Sequence, residues 1–262
     1  MSRQNYYAAR RHRHRREVDE GLIVQLVQEQ RRAQPRIGAR KLLWLIQKEL
    51  DQAGVKLGRD RFFSLLRTHG LLVEKKRSWP RTTNSRHTLP VFRNLLADFE
   101  VRAPNQAWVS DLTYVRTDEG FMFAAVIMDK YSRKIVGSHI GDSLEAMGCI
   151  QALDVALADL PDSCSPIHHS DRGCQYCCHE YVGRLVARGL SVSMTEKNHC
   201  YENAMAERVI GTLKREYELD ATFRTKQQAT AAFHQAVSIY NNLRPHLSLN
   251  YRTPAEVHGN AA

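Results

Sequence analysis

The apolar residues of this chain change their period close to residue 104. Before that point they recur at the three- to four-residue spacing of helices. Beyond it they run consecutively or in alternation, as strands do. One packing layer does not serve both patterns, so the chain reads as an all-helical region followed by a mixed α/β region. A length of 262 residues accommodates either one large domain or two ordinary ones.

In the helical part, residues 6–16 (YYAARRHRHRR) form a basic arm with no apolar stripe to bury. Residues 17–33 carry Val18, Leu22, Val24, Leu26 and Val27 among charges, which predicts a helix broken by Pro35 and Gly38. A second helix is predicted over 39–50, with Leu42, Leu43, Leu45, Ile46 and Leu50 inward and Gly54 as its stop. A third, Arg59–His69, would bury Phe62, Phe63, Leu65 and Leu66 and end at Gly70. Three short helices with a basic last one suit a helix-turn-helix module, in which Arg59, Arg61, Ser64 and Arg67 face a DNA groove. The alternative is a small bundle whose arginines are merely solvated.

Charge bears on that choice. The whole chain carries +10, but unevenly. Residues 1–90 hold 21 Lys and Arg against 8 Asp and Glu, and the rest hold 17 against 20. A strongly basic third followed by a slightly acidic remainder points to two electrostatic roles and to a polyanionic partner for the first. Residues 74–90 (EKKRSWPRTTNSRHTLP) are basic, polar and aperiodic, as in a linker or a segment that tracks DNA.

Runs at 107–116, 121–129 and 133–140 are strand-like and joined by short turns, which predicts an antiparallel meander. A helix over 143–159, a strand over 166–170, a helix over 178–188, a strand over 190–194 and helices over 203–218 and 226–243 follow, then a Pro-containing tail. The sum is a mixed five-stranded sheet carrying helices.

Three acids stand out against this pattern. Asp111 interrupts the apolar first strand, Asp171 follows the fourth strand, and Glu207 lies on the helix after the fifth. Fifty-nine residues separate the first pair and 35 the second. Three carboxylates converging at one sheet end would repel one another unless a cation joined them. Hard oxygen donors of this number suit Mg²⁺ or Mn²⁺, and a pair of such ions supports phosphoryl transfer. Read separately, the same acids are a turn residue, a helix cap and a surface group.

The surrounding residues sharpen the reading. Trp108-x-x-Asp111-Leu112-Thr113-Tyr114, His169-Ser170-Asp171-Arg172-Gly173-Cys174-Gln175-Tyr176 and Asn203-Ala204-x-x-Glu207 with Leu213-Lys214-x-Glu216 resemble one family. It is the transposases of bacterial insertion sequences that carry a retroviral-integrase-like DDE core, the product of the second reading frame. Arg36-Ile37-Gly38-Ala39-Arg40-Lys41-Leu42, Tyr240-Asn241-Asn242-x-Arg244-Pro245-His246 and Thr253-Pro254 extend the likeness over nearly the whole chain. The resemblance implies an RNase H-like core with Asp111, Asp171 and Glu207 as catalytic metal ligands, holding two ions. It also implies a basic residue seven positions after the glutamate, which is Lys214. Seven residues are two helical turns, so Lys214 shares a face with Glu207 and can hold a phosphate. His169 and Asn203 are auxiliary candidates.

The implied organisation is a basic arm and helix-turn-helix over 1–73, a basic linker over 74–104, the catalytic core over 105–220, and a C-terminal helix and tail over 221–262 that complete it. The implied partners are insertion-sequence ends and target DNA, further copies of the chain, and the upstream-frame product. The implied place is the bacterial cytoplasm, at the nucleoid. The chain departs from the family at Cys174, where Ser is usual, and at Glu202, where Asp is commoner before Asn203.

Other classes fit less well. No apolar run of 18 residues is present, so no membrane span is expected, and the polar, charged N-terminus carries no secretory signal. The six cysteines are expected as reduced thiols. Cys174-x-x-Cys177 allows a zinc site on paper, but Cys178 is adjacent and no second pair has matching spacing. Two functional alternatives remain open on sequence: a catalytically silent DNA-binding remnant, and a Mg-dependent nuclease that does not transfer strands.

Overall fold

The computed structural model describes residues 3–73, 89–196 and 200–259. The chain forms two compact units, the first ending by residue 78 and the second starting at 79. Residues 74–88, the first part of the expected linker, lie outside the described residues.

The first unit contains α1 (Arg3–Ala33), α2 (Ala39–Gln52) and α3 (Arg59–Thr68). The basic arm predicted at 6–16 is not separate from the next helix. It is the start of one 31-residue helix. No Gly or Pro interrupts it before Gly21, and its Ala, Arg and Gln are good helix formers. In its second half Ile23 and Val27 lie one turn apart and are buried. Val18, expected inside, is exposed.

Helix α2 buries Leu42, Ile46 and Leu50, and α3 buries Phe62, Leu65 and Leu66. Leu43, Leu45 and Phe63 sit at the rim. Gly54 and Gly70 take φ of +67° and +64°. After each, the next amide reaches back to the carbonyl five residues earlier, Val55 to Leu50 at 2.9 Å and Leu71 to Leu66 at 2.7 Å. That left-handed cap admits glycine without strain.

The second unit is built on a sheet of order β3-β2-β1-β4-β5. Strands β1 (Ala107–Thr117), β2 (Gly120–Asp129) and β3 (Ile135–Gly141) form the antiparallel meander. β4 (Ile167–Ser170) runs parallel to β1, and β5 (Ser191–Met194) parallel to β4. A sixth, two-residue strand, β6 (Thr222–Phe223), pairs with the far end of β1. Two residues carry too little pattern to be seen in sequence.

The sheet is covered on both faces. On one, Val109, Val115, Ala124 and Val126 pack against α7 (Ala204–Glu216) and α8 (Lys226–Asn242). On the other, Trp108, Ala125 and Ile127 pack against α4 (Ala146–Ala158), α5 (Cys174–Cys177) and α6 (His179–Ala187). A side chain at Gly137 would strike the Ala152 carbonyl, so glycine there lets α4 lie directly on β3. The helix predicted over 178–188 is α6, and a separate short turn, α5, precedes it across Cys178, which is extended (φ −69°, ψ 146°).

Segments outside the sheet complete the core. Leu89 and Phe92, within the stretch read as linker, pack on the α4–α6 side, and the Leu95 amide donates to Ser193 Oγ at 2.9 Å. At the other end, Asn241 bridges both backbone groups of Ile135 at 2.9 Å. Arg244 forks onto both oxygens of Glu216 at 2.7 and 2.8 Å. The tail ends in α9 (Pro254–Gly259), which buries Val257. No described helix is long and apolar enough to cross a membrane.

Candidate active site

Parallel pairing of β1 with β4 sets Val109 beside His169. Asp111 follows that last pair by two residues on β1, and Asp171 follows it by two residues on the other side, as the first residue past β4. Side chains alternate along a strand, so Asp111 shares the face of Val109 and looks toward α7. Its Oδ1 accepts the Leu112 amide at 2.9 Å. Asp171 Oδ1 accepts the Gly173 amide at 2.9 Å. A Cβ at Gly173 would come within 3.0 Å of that oxygen, so glycine is what lets the amide approach.

Burial raises the Asp171 pKa, the Gly173 amide opposes the rise, and the charge of Glu207 adds to it. The last effect brings the third acid into the same field. Glu207 lies one turn into α7, whose start is tied to β1 by Asn203 Nδ2 donating to the Ser110 carbonyl at 3.0 Å. Asp111 and Asp171 also both act on the buried Cys149 and Tyr176. Nonetheless, among the described residues no three of His, Cys, Asp and Glu are gathered as a closed metal-ligand group. The acids share a field without forming a finished cage.

Lys214 stands two turns beyond Glu207, its Nζ 4.3 Å from the centroid of the Tyr114 ring. Burial and Arg116 lower its pKa, while Asp111 and Asp220 work the other way. Its ammonium is thus within the field of Asp111, held against an aromatic face.

The auxiliary candidates separate. Asn203 is buried and joins α7 to β1. His169 is buried, bonds Ser193 Oγ through Nδ1 at 2.8 Å, and is pushed down to about 4 by burial, so it is neutral at pH 7. Arg59 is paired with Asp60 at 2.9 Å, Arg61 lies 3.9 Å from Glu20, and Ser64 and Arg67 are exposed.

The cysteines do not converge. Cys174 Sγ is 3.4 Å from Gln175 Oε1, Cys177 Sγ is 3.7 Å from Met194 Sδ, and Cys178 Sγ is 3.3 Å from the Gln175 carbonyl. Burial pushes Cys177 up to about 11, which keeps it a thiol. His199, the other ligand considered, lies outside the described residues.

Two polar residues escaped the sequence reading. Asp129, fully buried, accepts from the Asn105 and Ser132 amides at 2.7 Å each and from Ser132 Oγ at 2.8 Å. An Asp followed three residues later by Ser at a strand end is a turn signal that could have revealed it. Ser110 had no comparable signal.

Against known proteins, the Integrase core domain family matches residues 101–200, and a second Integrase core domain model matches 188–254. The Insertion element IS600 uncharacterized 31 kDa protein of Shigella sonnei is 38% identical over 259 residues, 97% of this chain and 94% of that one. Transposase InsF for insertion sequence IS3A of Escherichia coli (strain K12) is 34% identical over 217 residues, 82% of this chain and 74% of that one. The chain belongs to the integrase-core transposases of insertion sequences. This transposase is a DDE-type polynucleotidyl transferase with an RNase H-like core. Among solved structures, the HTLV-2 integrase catalytic core in complex with magnesium is similar at a TM-score of 0.48 and 19% identity, over 63% of this chain and 99% of that one.

Proposed function

We propose that this transposase cuts DNA at the ends of its insertion sequence and joins the exposed 3′-hydroxyl to a target strand, using Asp111, Asp171 and Glu207. The observation that carries the reading is the parallel β1–β4 register ending two residues before each aspartate, with Glu207 in the field of Asp171. The donor set fits Mg²⁺ or Mn²⁺: all three are carboxylates, and the mutual repulsion of Asp171 and Glu207 is what a divalent cation relieves. Two such ions, when held there, would activate the attacking oxygen and offset charge on the leaving one.

The protein's own part is positioning. The β1–β4 ladder fixes the strands that lead into the two aspartates, and Asn203 docks the helix of Glu207. Lys214 holds a phosphate of the reacting strand. No side-chain nucleophile is needed, because the attacking groups are water and the DNA 3′-hydroxyl. Residues 1–73 bind element ends, mainly through phosphates, with Arg59, Arg61, Ser64 and Arg67 on the DNA side. Residues 105–220 cut and join, and 221–262 brace them. The working form is a multimer of this chain on DNA, acting with the upstream-frame product at the bacterial nucleoid.

Incubation with end-sequence DNA and Mg²⁺, with and without that product, tests this. Cleavage followed by joining, abolished in Asp171→Asn, is expected. Cleavage with no joining would make the chain a nuclease. Neither activity, with DNA still bound, would make it a silent remnant.

A further inference from the structure

Ser110 precedes Asp111 and is almost wholly buried, yet it makes bonds in two directions. Its Oγ lies 2.6 Å from His168 Nε2, on the sheet face covered by α6, where the Tyr181 hydroxyl also meets that nitrogen at 2.8 Å. Its carbonyl, just past the last β1–β4 pair at Val109 and His169, accepts from Asn203 Nδ2 at 3.0 Å. One residue therefore touches β1, β4 and the start of α7. Each of these elements carries or delivers one acid. Asp111 is one residue from Ser110, Asp171 three from His168, and Glu207 four from Asn203.

We propose that Ser110 is a positioning residue for the catalytic acids, the shared anchor that fixes all three acid-bearing elements relative to one another. The proposal deepens the assignment of Asp111, Asp171 and Glu207 as metal ligands and rests on it. The acids are not gathered into a closed group, so their spacing depends on how the elements beneath them are held. The bonds at Ser110 are fully enclosed. His168 is completely buried and pushed down to about 3, chiefly by burial, which keeps the imidazole neutral and able to accept from a hydroxyl. Asn203 is equally enclosed, and its Oδ1 has no partner among the described residues, so its amide bond to the Ser110 carbonyl orients it. Loss of the Ser110 hydroxyl leaves a buried imidazole with one partner fewer, while the carbonyl bond persists. The two connections can thus be cut separately, by Ser110→Ala and Asn203→Ala.

The test is Mn²⁺ binding by the full chain, followed by isothermal titration and by the thermal shift that Mn²⁺ produces, alongside the metal concentration that half-saturates cleavage. Removing a residue that orients metal ligands weakens metal affinity by roughly tenfold. We expect that loss in Ser110→Ala and in Asn203→Ala. Restoration in Ser110→Thr, which keeps the hydroxyl, is expected too. The unfolding midpoint without metal should follow no such pattern of loss and rescue. If Ser110→Ala does not fold, Asn203→Ala with wild-type Mn²⁺ affinity overturns the proposal. Wild-type affinity in a folded Ser110→Ala overturns it as well. A wild-type chain that binds no Mn²⁺, with Asp171→Asn indistinguishable from it, would instead refute the metal site itself and the anchor with it.

Discussion

Among the described residues, the helical unit buries only Gln34 and Lys41 as polar side chains, whereas the second unit buries eleven. Those eleven include His168, His169, Asp129, Asn203 and Arg244. The first unit encloses a largely apolar core and exposes Arg32, Arg40, Arg59 and Arg67. The second spends part of its interior on groups that are costly to desolvate, and His168, His169, Asp129, Asn203 and Arg244 each make at least one hydrogen bond there. Binding phosphates calls for exposed cations. Holding reactive carboxylates at fixed spacing calls for polar groups inside.

The contrast is broken most severely at the acids. Asp171→Asn should abolish cleavage and joining, and in the same protein raise the unfolding midpoint measured without metal. The folded-state pKa of Asp171 is raised, so its charge costs stability above the unfolded value, and the neutral amide removes that cost. A midpoint that falls would show that the carboxylate is held by stabilising bonds instead.

Next in size is Arg244→Ala. The guanidinium and its Glu216 partner are 8% and 20% exposed, and cutting one side of such a pair costs about 3–5 kcal/mol. Urea titration followed by a probe in the second unit should show that loss, with the helical unit's transition unmoved.

A smaller effect lies in pH. His168 and His169 have folded pKa values near 3 and 4, below the ordinary histidine value of 6.5. The unfolded chain binds protons first as pH falls, so the stability of the second unit should drop from pH 6.5 toward 4. Among the described residues of the helical unit no histidine is buried, and denaturation curves there should lack that step. His169→Asn should flatten the slope in the second unit.

Smallest is the loss of one surface cation. Arg67→Ala should weaken DNA binding uniformly across sequences and reduce the salt slope by about one, with no change in either unit's stability. A change that depends on base sequence would mean that Arg67 reads bases.

The local features were legible because they are local. Gly54 and Gly70 stop their helices through their own backbone freedom, and the meander follows from alternation and short turns. The three acids were visible by residue type and spacing. Residues 6–16 read as a separate arm because they have no apolar stripe to bury, yet α1 runs through them without one. Ser110 and Arg244 went unread as structural centres because their partners are distant: Asn203 is 93 residues from Ser110, and Glu216 is 28 from Arg244.

By itself, then, the sequence determined the two-part character of this transposase, the helices and strands of each part, and which carboxylates are available for catalysis. Periodicity, capping and residue chemistry act over a few positions, and such signals survive in one dimension. Only the tertiary structure decided that the strands leading into Asp111 and Asp171 run in parallel register, that Glu207 enters the field of Asp171, and that one serine joins the elements beneath them. Those facts depend on strand register and helix docking, which many weak contacts across the chain set together.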